Sequence, residues 1–171
     1  MTKLQFIDTI DPIFKHEQFE VNNLDDEIRI DHLCGDLLKH FFRYLVDERK
    51  LPAEQAGLLA HGADYFLKEF IIPDRRENIF SISGNRVRQF AGNWYIVKNL
   101  EPNITELTGI LHGVEAFYDF CFLLGKVTKE QTENIRQECH QLDFYRNRIK
   151  DFWDITGDGY QAWDHACSLR D

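Results

Sequence analysis

Two pairs of side chains able to ligate a metal recur at one spacing. His61 and Asp64 lie in LLAHGADYFL (58–67), and His112 and Glu115 lie in ILHGVEAFYD (110–119). In both stretches a carboxylate follows the His by three positions and a Phe comes two positions later. Residues three apart on a helix are neighbours on one face, so each stretch could offer an imidazole and a carboxylate together. Metal sites in bundles, however, draw on Glu and Glu-x-x-His ligands that project inward. Wound at helical pitch, Leu59, Ala63, Phe66, Leu67 and Phe70 form one apolar stripe, and Leu107, Ile110, Leu111, Val114, Tyr118 and Cys121 form another. His61 and Asp64 fall away from the first stripe, and His112 and Glu115 away from the second. Solvated His–acid pairs are therefore expected, with a metal ion at a helix interface as the alternative. Gly62 and Gly113 fall at the edges of the stripes. There a missing side chain admits a second helix, at a cost of about 1 kcal/mol in helix propensity.

A second candidate is DITGDGYQAWDH (154–165), where Asp154, Thr156, Asp158 and Gly159 match positions 1, 3, 5 and 6 of an EF-hand loop. Gln161 stands where that loop needs an apolar residue, and His165 where it needs a bidentate Glu. A Gly-rich helix end is expected here, with a weak calcium-like loop as the alternative. Arg146 interrupts an apolar seam between Leu142 and Ile149, so it is expected to snorkel or to meet a buried acid, with anion binding as the alternative. G-x-S-x-G, P-loop, Rossmann and H-E-x-x-H signatures are absent. Ser81, Ser83 and Ser168 have no partner in the sequence that suggests a triad. The reading leans away from an enzyme and predicts no cofactor.

The elements that would carry these residues read as all-α: a bundle of five helices at 25–48, 53–71, 84–98, 104–124 and 129–153. Asp25, Asp26 and Glu27 suit the positive end of the first helix dipole. Pro52 suits the first turn of the second, and Pro73 helps to end it. Asn103 or Thr105 can cap the fourth helix, with Glu106 at capping-box spacing, and Gly125 suits its C-terminus. Thr128 opens the fifth. The segment between is the difficult one, because two Gly-Asn pairs, at 84–85 and 92–93, would suit the turns of a small β-meander over 78–98. Against that, Val87, Phe90, Ala91, Trp94 and Val97 keep one helical phase across the second pair, so helix is the expected form. A single domain over 1–171 is expected, with an N-terminal extension at 1–24 and an irregular tail at 155–171.

Over about 58–127 the order of motifs resembles the core-binding helical domain of tyrosine recombinases. The residues that carry the resemblance are Phe66 and Phe70, then Val87 and Phe90, then Phe117, Tyr118, Leu124 and Val127. It implies a DNA-clamping helical architecture. A catalytic domain holding that family's Arg, His and Tyr is not expected within these residues, so no catalytic residue is carried over.

Charge narrows the partners. The net charge is −9, which repels nucleic acid and anionic membrane. The one basic island is 75–98, where Arg75, Arg76, Arg86, Arg88 and Lys98 face a single acid, Glu77. The four cysteines have no metal or redox spacing, and no apolar run reaches the roughly 18 residues of a membrane span. A cytoplasmic protein with reduced thiols is expected. With 13% aromatic residues, the functional expectation is an interaction or regulatory protein whose partner is another protein or a second copy. Its surface would be Arg75, Arg76, Arg86 and Arg88 with Trp94 and Tyr95. Nucleic-acid binding through the same island is one alternative and metal binding another.

Overall fold

The structure, a computed structural model, describes residues 14–170. The expectations that fall on residues 1–13 lie outside the described residues. All regular structure among those described is helical: a 3-10 turn, His16–Phe19, and seven helices. These are α1 (Leu24–Asp47), α2 (Ala53–Tyr65, running on as Phe66–Arg75), α3 (Gly84–Gln89, Phe90–Trp94 and Tyr95–Lys98), α4 (Ile104–Leu123), α5 (Lys129–Cys139), α6 (Leu142–Trp153) and α7 (Tyr160–His165). They form an all-α bundle around one apolar core that runs from Phe14 to Trp163. All four cysteines are unpaired and buried. No described helix is long and apolar enough to cross a membrane.

Local chemistry starts and stops these helices much as the sequence predicts. The Asn23 side chain accepts from the Asp26 N–H at the head of α1, and Asn103 does the same for Glu106 at the head of α4. The Glu106 carboxylate does not close a capping box there but accepts from Tyr95 Oη at 2.6 Å, which ties α4 to α3. Thr128 and Gln131 form a reciprocal capping box on α5. Gly125, at φ +70°, takes the left-handed position after α4.

The expected helix forms over 84–98 and the alternative is excluded, while four other expectations need correction, each with a physical cause. The meander over 78–98 does not form, because Gly84 and Gly92 serve close packing inside a helix and not hairpin turns. A Cβ on Gly84 would lie 2.7 Å from Asn134 O of α5, and one on Gly92 would lie 2.8 Å from Cys167 Sγ. The apolar phase of α3 also slips. The chain is π-helical over Phe90–Trp94, and its i→i+5 bonding inserts an extra residue into the turn. Tyr95 and Ile96 are thereby carried inward, while Val97 is left 41% exposed. Helix α2 does not stop at Ile71. It continues through Pro73 in a second π-helical run and ends at Arg76 with φ +52°. The predicted helix 129–153 is two helices broken at His140 and Gln141, where the Glu138 carbonyl accepts from the Gln141 N–H at 3.2 Å and from Tyr145 Oη at 2.8 Å. Finally, the tail predicted as irregular contains α7, with Trp163 buried.

The two π-helical runs meet in the middle of the core. Phe66 and Phe70 of α2 pack on Phe90 of α3 at ring distances of 5.1 and 5.5 Å, and Phe70 lies 5.4 Å from Trp94. The nearby α2–α4 crossing positions the candidate site.

Candidate interaction surface

The two His-Gly stretches pack on each other. Helices α2 and α4 cross antiparallel where Gly62 meets Gly113. A Cβ on Gly62 would lie 2.9 Å from the Ile110 Cα and carbonyl oxygen. A Cβ on Gly113 would collide with the Leu59 carbonyl oxygen and lie 2.9 Å from the Ala63 nitrogen. Backbone thus touches backbone, which only glycine permits on both sides. Gly109, one turn before Gly113 on α4, is different: nothing stands within 4 Å of its missing side chain. That bare stretch of helix floors an open groove of about 400 Å³ between α2 and α4, walled by Leu58, His61, Tyr65, Thr105 and Ile110. His61 also borders a groove of about 560 Å³ between α1 and α2, with Leu38, Phe42, Arg43 and Lys68 around it. It therefore stands on the ridge between two concave surfaces.

The metal-capable residues are not gathered into one site. His61 and His112 are both exposed. Asp64 pairs with Lys68 at 3.3 Å, and Lys68 also reaches Asp31 at 3.7 Å. Glu115 faces α5, where it meets Arg136 at 3.3 Å and His140 at 2.8 Å. Asp154, Thr156 and Asp158 are exposed in the turn between α6 and α7. Among the described residues no group of three or more His, Cys, Asp or Glu could hold a metal ion.

The basic island is not an open cationic face. Arg76 pairs with Glu27 of α1 at 2.7 Å, Arg86 with Glu77 at 2.6 Å, and Arg88 with Glu138 of α5 at 3.6 Å. Arg75 binds Asp74 and donates to the Leu169 carbonyl at 2.7 Å. Trp94 and Tyr95, expected at the surface, are buried at 6% and 0% exposure. Asp74 and Glu77 are close in sequence, but Glu27, Glu138 and the Leu169 carbonyl come from distant segments, which a local charge count does not see.

Two constellations escaped the sequence reading. Buried Asn78 ties the first turn to the 78–82 connector, donating to the His16 carbonyl and to Glu20 Oε1 at 2.9 Å each and accepting from the Phe80 N–H at 3.0 Å. Ser81 Oγ lies 3.3 Å from His16 Nε2 beside it. The second is Arg148. The sequence pointed to Arg146, but Arg146 is exposed and paired with Asp143, while Arg148 is the buried guanidinium at 5% exposure. The available signal was the spacing of Tyr145, Ile149 and Phe152, which puts 148 and not 146 on the inner face once α6 is read as a separate helix. Arg148 Nε donates to the Gly92 carbonyl at 2.8 Å and Nη1 to the Trp163 carbonyl at 2.6 Å, with the guanidinium 3.9 Å over the Trp163 ring. Its Nη2 has no hydrogen-bond partner, and burial holds its pKa below the usual arginine range. Comparison of the chain with protein-family models, with curated proteins and with solved structures finds no match.

Proposed function

We propose that this protein is an interaction and regulatory module that works through surface contacts. Its docking face is the α2–α4 groove, and its first partner is a second copy of the chain. The supporting observation is the apolar surface around a groove that glycine leaves open. Leu58 stands on the rim at 67% exposure. Leu100 is 95% exposed and follows Asn99, whose side chain donates to Tyr65 Oη on the groove wall at 3.3 Å. In a twofold dimer, Leu58 of each copy enters the groove of the other, as an isologous interface requires. The four arginines of the basic island are engaged within the chain, which leaves the groove as the favoured face.

Sedimentation across a concentration series tests this reading. The wild-type chain is expected to shift from monomer to dimer as concentration rises. Leu58→Glu and Gly109→Leu are expected to hold it as a monomer; the second fills the groove at a position where a side chain meets nothing. A wild-type chain that stays monomeric at the highest attainable concentration would overturn the reading.

A further inference from the structure

The last described residues are held in an unusual way. Side chains from three helices donate to backbone carbonyls of the segment 160–170: Arg148 of α6 to Trp163, Asn93 of α3 to Cys167 at 2.8 Å, Gln89 of α3 to Ser168 at 3.2 Å, and Arg75 of α2 to Leu169 at 2.7 Å. Three consecutive carbonyls, 167 to 169, are thus read by three different side chains. Asn93 also donates to Asp164 Oδ1 at 2.8 Å. Two anchors add to this. The Trp163 ring lies under the Arg148 guanidinium and sits 5.0 Å from Phe152. Cys167 fills the space left by Gly92 and donates to the Arg88 carbonyl at 3.4 Å.

Carbonyl reading by fixed side chains, with a large aromatic anchor, is how a groove holds a peptide and not how helices usually pack. The seat is also incompletely matched by its occupant. Arg148 is buried without a carboxylate bonded to it, and one of its nitrogens is unpaired. A desolvated charge in that condition disfavours the docked state. Cys167 packs beside Gly92, whose carbonyl accepts from Arg148 Nε. The link to the bundle is short and turn-like, with Gly157 at φ +57° and exposed residues from 156 to 158.

We infer that residues 160–170 are a ligand in cis, a strap lying in a peptide-reading groove formed by α2, α3 and α6. The partner that takes its place is a peptide segment with an aromatic anchor and a carboxylate, four residues later, directed at Arg148. This groove is separate from the α2–α4 face, and neither reading depends on the other.

The test uses the full chain with Trp163→Ala, which releases the anchor, and a fluorescein-labelled peptide of residues 158–170 followed by fluorescence polarisation. A tethered strap competes at millimolar effective concentration, so the labelled peptide is expected to bind the variant at least about ten-fold more tightly than the wild-type chain. The same peptide with Cys167→Asp is expected to bind about ten-fold more tightly again, and adding Arg148→Met to the chain is expected to erase that second gain. Equal binding to both chains, or binding to neither, overturns the inference. An aspartate peptide no tighter than the native one removes the acidic partner from it. If Trp163→Ala loses its helical circular dichroism, a protease site placed at 157–159 and cut after folding gives the second route. A cut chain that stays helical and exchanges its strap for labelled peptide supports the inference. A cut chain that unfolds, or will not exchange, shows the segment to be core and overturns it.

Discussion

Substituting alanine for Gly109 and for Gly113 should have opposite effects, although the two sit one helical turn apart on α4. Both replacements remove the same propensity defect, about 1 kcal/mol relative to alanine in a helix interior. At Gly109 nothing lies within 4 Å of the new methyl, so the gain is kept and the chain is stabilised by about 1 kcal/mol. At Gly113 the methyl meets backbone on every side: it collides with the Leu59 carbonyl oxygen and lies 2.9 Å from the Ala63 nitrogen and 3.0 Å from Gly62 Cα. Backbone cannot rotate away as a side chain can, so α2 and α4 must separate, and overpacking of this kind costs about 1–3 kcal/mol or more. The loss also outweighs the propensity gain, because the separated helices give up dispersion contacts along their crossing. The gap between the two variants is therefore expected to be about 3 kcal/mol, or on the order of 10 °C in melting temperature for a chain of this size. Urea denaturation followed by circular dichroism measures it, with similar m-values confirming that the compared states are alike. Stabilities within about 0.5 kcal/mol of each other would refute the backbone-contact account. In the double variant Gly62→Ala with Gly113→Ala, the second methyl should cost less than the first, since helices already pushed apart have room for it.

Asn78→Ala leaves the His16 carbonyl and the Phe80 N–H without their partner. It should lower stability by about 2 kcal/mol and speed hydrogen exchange over residues 14–20, and unchanged exchange there would count against the tie. Phe90→Ala removes a ring wedged among Phe66, Phe70 and Trp94 and should cost about 3–5 kcal/mol in the same denaturation assay. Alkaline stability should fall early. Burial raises the pKa of the Cys34, Cys121 and Cys139 thiols and of the Tyr95, Tyr118 and Tyr145 phenols in the folded chain. The folded state therefore holds protons that the unfolded state releases once pH passes about 8.5 for thiols and about 10 for phenols. Each such group removes about 1.4 kcal/mol per pH unit from there upward and nothing below. Denaturation midpoints that stay flat from neutral pH to 11 would show these groups to be solvated.

Most of the helical framework was legible because its signals are local. The stripes of α2 and α4, the acids Asp25, Asp26 and Glu27, the Asn103 and Thr128 positions and the edge glycines Gly62 and Gly113 all depend on neighbours within one or two turns. What was not legible depends on contacts across the chain. Arg75 is turned onto the Leu169 carbonyl, 94 residues away, and Arg76 is neutralised by Glu27 on another helix. Periodicity misassigned Val97 because the π-helical turn at Phe90–Trp94 adds a residue without changing composition. It misassigned Arg146 because the break at His140 and Gln141 carries no Gly or Pro. The strap seat was the least legible of all, since most of its bonds end on carbonyls, which every sequence has.

The burial of the cysteines supplies a clock. Cys34 and Cys121 have no exposed surface, Cys139 has 3%, and Cys167 has 7% at the edge of the strap. Only a thiolate reacts with an alkylating reagent, so modification must wait for whichever motion first brings each sulfur to water. Detachment of residues 160–170 uncovers one thiol, whereas opening of the bundle uncovers four. Mass spectrometry of a chain held in iodoacetamide would therefore separate the two motions by stoichiometry, with one rapid adduct followed by three slow ones. The interval between them would measure how much sooner the strap leaves than the fold.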